Sequence, residues 1–204
     1  MINMEAFTPT KIKLKGKDIL LLLLYFSPEG MIGATRLMKA MFLFEQEIKK
    51  DFQADIESFP EFMAWRFGPW SEQVPDDIEF FKGISFISSE SFPQNGEFFM
   101  AEREEFDRWE KELLDAPVSD IQESELQDFH EPEKIFLTVV GKRFIEANLL
   151  SRLSENQTKI LTEFKEKIAS LSLFSILSYI YRKYSKGKVD WTRKSEIKAD
   201  IIRD

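Results

Sequence analysis

Two stretches constrain the fold of this chain most tightly: Arg36-Leu-Met-Lys-Ala-Met-Phe-Leu-Phe-Glu-Gln-Glu-Ile48 and, after an acidic spacer, Trp65-Arg-Phe-Gly-Pro-Trp-Ser71. In the first, Leu37, Met41, Phe44, Ile48 and Phe52 recur at helical spacing, with Met38 and Phe42 widening the stripe. Lys39, Glu45, Gln46 and Lys49 are expected to face away from it, and Thr35 is the expected N-cap. The aromatic-rich residues 62–67 read as a strand broken by Gly68-Pro69. Ser71 then stands where it can cap another helix, whose early acids Glu72, Asp76 and Asp77 suit the positive end of the helix dipole. That helix is expected to end near Lys82-Gly83.

A chain of 204 residues is long enough to bury roughly 70% of the surface its unfolded form exposes. Twenty Phe point to a core built on aromatic packing. With no Cys there are no disulfides, thiolate metal ligands or cysteine nucleophiles, and a single His leaves little for zinc. No cofactor or metal is expected. The apolar run Ile19 to Phe26 follows several lysines as a secretory leader would, but it starts late, abuts Asp18 and lacks a small-residue cleavage site. It is also too short to span a bilayer. A buried first helix over residues 17–27, closed by Ser27-Pro28-Glu29-Gly30, in a cytoplasmic protein is the expectation.

Further along, Ile84–Ser91 and Glu97–Ala101 around Asn95-Gly96 resemble a hairpin, the shape of a wing. Residues 102–114 read as a helix and the rest, to Pro132, as an acidic linker. Ile135–Val139 is a strand candidate leading to a helix with Phe144, Ile145 and Leu149 inward. Two more helices follow, one capped by Ser154 and one over residues 172–185. Three segments result: a winged-helix-like core over 1–101, an acidic insert over 102–134, and a strand with C-terminal helices over 135–204, forming one globular unit. The fold class is α+β, mostly helical, with a small hairpin and additional C-terminal helices.

The net charge of −8 is unevenly spread: residues 97–133 hold fourteen acids against three bases, whereas the stretch from Arg182 onward is basic. The acidic region repels nucleic acid. Lys183, Lys186, Lys188, Arg193 and Lys194, interleaved with Tyr179, Tyr181, Tyr184 and Trp191, are candidate phosphate contacts, although such clusters more often pair with acidic surface. No glycine spacing supports a phosphate loop, and His130 has no specified triad partner. Asp76 and Asp77 offer a carboxylate pair for a hydrolase, but acids in a first helical turn are explained by helix stability alone. The residues best placed to meet another protein are Arg66, Gly68, Pro69 and Trp70. An aromatic beside a cation is typical of energetic contacts, while the competing expectation packs Trp70 into the core and pairs Arg66 with an acid.

The Arg36–Phe44 helix and Trp65-Arg-Phe-Gly-Pro-Trp-Ser resemble the SocA-like antitoxin group with its Panacea domain, and related winged-helix-type proteins of bacteria and archaea. The resemblance spans residues 17–84, with echoes in Phe136-Leu-Thr-Val-Val-Gly-Lys and Tyr179-Ile-Tyr-Arg-Lys-Tyr. Met38, Ala40 and Met41 depart from the leucines usual in that helix, and the acidic insert is not part of the pattern. The resemblance implies a non-enzymatic, protein-binding antitoxin or phage-defence accessory factor whose partner is a toxin or defence effector. The rival readings are a winged-helix transcriptional regulator that holds DNA with its basic ends or wing, and a carboxylate-dependent hydrolase.

Overall fold

A computed structural model describes residues 13–27, 29–52, 55–65, 68–91 and 133–184. The helix proposed for 102–114, the acidic linker, the strand 97–101 with its Asn95-Gly96 turn, His130 and Trp191 lie outside these residues.

The chain is mixed α+β and mostly helical. Strand β1 (Leu14–Lys15) runs directly into helix α1 (Gly16–Tyr25), where Asp18 reaches back to accept a hydrogen bond from the Lys15 N–H at 2.8 Å. Every residue from Ile19 to Leu24 is at most 1% exposed. A helix apolar on all sides is one surrounded by protein, and α1 is the central rod of the core. Its first residue is Gly16, where a Cβ would fall 2.3 Å from the Pro60 ring, so only glycine fits.

Strand β2 (Met31–Ile32) turns into helix α2 (Ala34–Leu43) through Gly33, whose φ of 84° is glycine territory. The N-cap is therefore Gly33, and Thr35, expected in that role, lies within the first turn. Helix α2 widens into a π-helical turn over Phe44–Ile48 and tightens into a 3-10 turn over Lys49–Phe52. Phe44 packs on Phe52, Phe59 and Phe164 with ring centroids 5.3, 5.7 and 6.3 Å away, which is where part of the aromatic composition is used. Strand β3 (Ile56–Ser58) pairs parallel with β1.

Strands β4 (Met63–Trp65) and β5 (Gly68–Trp70) form an antiparallel hairpin in which Met63 faces Trp70 and Ala64 faces Pro69. Gly68-Pro69 thus does not break the strand into a helix, as the sequence reading had it. Gly68, at φ 82°, starts the return strand, and Pro69 is tolerated because, among the described residues, this sheet has two strands and Pro69 lies on an edge. Helix α3 (Gln73–Gly83) follows, with Val74, Ile78 and Phe81 inward. Its N-cap is Glu72. Ser71, the expected cap, is buried, and its hydroxyl finds no hydrogen-bond partner among the described residues.

Strand β6 (Ile87–Ser91) begins later than expected, because Ile84–Phe86 form a turn with Ser85 at φ 61°. Its partner is β7 (Glu133–Leu137), aligned over all five residues from Ile87 opposite Leu137 to Ser91 opposite Glu133. Strand β7 also pairs with β2, so the sheet order is β2-β7-β6. The strand read as the start of the C-terminal segment is the centre of this sheet.

Helix α4 (Val139–Asn148) is capped by Thr138, whose hydroxyl accepts from the Gly141 N–H at 3.1 Å and donates to the Ser85 carbonyl at 2.6 Å. Gly141 meets the Phe86 carbonyl, 2.2 Å from where a Cβ would sit. Helix α5 (Glu155–Ala169) opens with a reciprocal Ser154/Gln157 capping box. In helix α6 (Leu173–Tyr184), Ile176, Leu177 and Ile180 are buried.

Candidate functional site

The β4–β5 hairpin rests on α2 and α6. Lys39 projects from α2 into the interior, and its ammonium donates to the Pro69 carbonyl at 2.8 Å. Contrary to the expectation that Lys39 faces away, it is 2% exposed. The apolar face of α2 is broader than its periodicity suggests, since every residue from Arg36 to Leu43 is buried. Burial lowers the Lys39 pKa to about 7. Arg36, one turn earlier, donates to the Leu171 carbonyl. Two basic residues of the conspicuous helix thus tie down the hairpin on one side and the approach to α6 on the other.

At the hairpin, Gly68 and Pro69 are buried and Trp70 is half-buried against the core, while Met63, directly across from Trp70, is 47% exposed. Arg66 lies outside the described residues. Of the expected contact residues, the backbone pair Gly68-Pro69 therefore serves as the tether and Trp70 as a partly covered platform. Met63, which the sequence reading passed over, supplies exposed apolar surface. Its place at the start of the aromatic stretch was the available signal.

A second cluster joins the π-helical turn to α6. One oxygen of Glu47 accepts from the Tyr179 hydroxyl (2.5 Å), the Lys183 ammonium (3.0 Å) and the Tyr184 hydroxyl (3.1 Å), and Lys183 also donates to Tyr179 at 2.6 Å. Burial alone would raise the Glu47 pKa, but these hydrogen bonds and the Lys183 charge outweigh it and hold the carboxyl below its usual value. Burial is also the main cause that pushes the Tyr184 hydroxyl up to about 12, with the Glu47 charge adding to it. Lys183, a candidate phosphate contact, is engaged within the protein. Lys186, Lys188, Arg193 and Lys194 lie outside the described residues. The Tyr179/Lys183 spacing of one helical turn was visible in the sequence, whereas their convergence on Glu47 was not.

On α3, the exposed charges are Glu72, Asp76 and Glu79. Lys82 bonds Glu79 at 3.1 Å and Glu133 at 3.0 Å. Burial raises the Asp77 carboxyl pKa against the opposing charge of Lys17, and among the described residues its Oδ2 has no hydrogen-bond partner. Among the described residues, no group of three or more His, Asp or Glu side chains is arranged to hold a metal ion, and no helix is long and apolar enough to cross a membrane. A groove of about 540 Å³ runs along α5 between Leu153 and Glu163, away from the hairpin, and lies open to solvent. No protein-family model, curated protein or solved structure matches the chain.

Proposed function

We propose that this chain is a non-enzymatic, protein-binding module on a winged-helix-type scaffold, an antitoxin-like or phage-defence accessory protein that docks a toxin or defence effector through its β4–β5 hairpin. The scaffold reading is supported by the order α1, β2, α2, α3, β6, β7 and by the sheet order β2-β7-β6, which puts the first strand beside the last. This order is consistent with the plan of a winged-helix-type domain. The observation that carries the functional reading is the pairing of exposed Met63 with half-buried Trp70 on a hairpin fixed from beneath by Lys39. A sulfur side chain beside an aromatic on a preorganised strand pair loses little entropy on docking.

The DNA-binding alternative is disfavoured by the same geometry. On the winged-helix reading α3 would be the reading helix, yet Glu72, Asp76 and Glu79 are exposed along it and repel phosphates. The test is to express the chain with the products of its neighbouring genes and isolate the complex. Met63→Glu should abolish the complex while leaving the circular dichroism spectrum unchanged. Duplex binding that weakens steeply with salt, without any protein complex, would favour the regulator instead.

A further inference from the structure

Among the described residues, five large apolar side chains are exposed; Met63 belongs to the hairpin, and Phe80, Ile84, Val139 and Val140 are 50%, 43%, 65% and 54% exposed. These four come from the end of α3 and the start of α4, which are stitched together. The Thr138 N–H donates to the Phe86 carbonyl at 3.0 Å and the Thr138 hydroxyl to the Ser85 carbonyl at 2.6 Å. Ile84 precedes Ser85 and Val139 follows Thr138, so both emerge from adjoining backbone. Phe80 lies one turn before Ile84, whose N–H it binds through its carbonyl at 3.1 Å.

Phe80 packs edge-on against Phe81, but Ile84, Val139 and Val140 stay largely exposed. Thr138 supplies the helix cap and Gly141 the close packing, whereas two β-branched valines opening a helix are poor helix formers and here bury little. The charges around the strip are divided. Glu72, Asp76 and Glu79 are exposed on the α3 side, and Lys142 and Arg143 on the α4 side. Lys17 lies over the Phe80 ring at 5.1 Å and also faces Asp77, while Lys82 is engaged by Glu79 and Glu133.

We propose that this α3/α4 seam is the contact face of a symmetric dimer of this chain, with the two-fold axis passing between Ile84 and Val139. A two-fold contact sets a patch against itself and exchanges its two sides. The apolar strip then meets its own copy, and the acids of α3 meet Lys142 and Arg143 of α4. A patch rimmed by one sign of charge would repel its copy, whereas this divided rim attracts it. The hairpin packs on α2 and α6 and contributes none of the four strip residues.

Sedimentation equilibrium of the full chain over a range of concentrations tests the proposal. The expected species has twice the chain mass of 24.0 kDa. Ile84→Glu combined with Val140→Glu should give the single-chain mass with unchanged circular dichroism. Should those glutamates disturb folding, Asp76→Lys and Lys142→Glu should each weaken the dimer about tenfold or more, and their combination should restore it. The proposal is overturned by a single-chain mass at every concentration, by a dimer that survives the glutamate pair, or by charge reversals whose effects do not cancel. Because Met63 is outside the seam, Met63→Glu should leave the dimer intact, so failure of the hairpin reading and failure of this one are separable.

Discussion

The Lys39 ammonium lies 2.8 Å from the carbonyl oxygen of Pro69, joining the middle of α2 to the return strand of the hairpin through the protein interior. This bond makes the hairpin part of the core's rigid body, and it has a titration signature. With a folded-state pKa of about 7 and an unfolded value of about 10.4, the unfolded chain binds the extra proton throughout that window. Stability contributed by this group therefore rises with pH from about 7 to about 10 and is flat outside it. Lys39→Met should remove that rise in urea denaturation series at about pH 7 and about pH 9. An unchanged slope would show that Lys39 is not the group responsible.

Glu47 gives the opposite sign. Its carboxyl is held below the usual range, so its stabilising contribution is present above about pH 4.3, the unfolded value, and is lost as pH falls through the lower folded value. Glu47→Gln should flatten this acid limb and speed amide hydrogen exchange in α6, because the common acceptor of Tyr179, Lys183 and Tyr184 loses its charge. Tyr179→Phe, which removes one of three donors, should do less. Equal exchange in wild type and Glu47→Gln would contradict the clamp.

The segment Leu137-Thr-Val-Val-Gly141 should behave as a structural joint. Gly141→Ala forces a Cβ into the Phe86 carbonyl and should cost about 2 kcal/mol or more. Thr138→Val loses both the cap and the bond to Ser85 and should cost roughly 1 kcal/mol. Chemical denaturation measures both. A neutral Gly141→Ala would mean that the α4/β6 approach is looser than described.

Much of the helical framework was legible because long amphipathic periods and caps are local. The Ser154 cap, the end of α3 at Gly83, and the inward Ile176, Leu177 and Ile180 all follow from spacing and capping chemistry. What was missed depended on tertiary contacts. Lys39 sits at a position that its helix alone would expose, and only the hairpin packed over it makes the position interior. The short β1–β3 pairing has too few residues to produce alternation. Gly68-Pro69 reads locally as a strand breaker, and becomes a strand only because Met63–Trp65 lies alongside. The long-range partner of β6, Glu133–Leu137, is likewise invisible to a reading that seeks the nearest hairpin turn. At the candidate site, Trp70 drew attention from its place beside Gly68-Pro69, whereas Met63 became a candidate only through its exposure and its register opposite Trp70.

The central claim is that the hairpin surface around Met63 and Trp70 docks a protein. Titration calorimetry of the purified chain against the neighbouring gene product that co-purifies with it, for wild type and Met63→Glu, tests this most directly. The account predicts a stoichiometric complex for wild type and affinity reduced about a hundredfold or more for the variant, with both proteins equally folded. Equal affinity for the two proteins would place the contact elsewhere and contradict the claim.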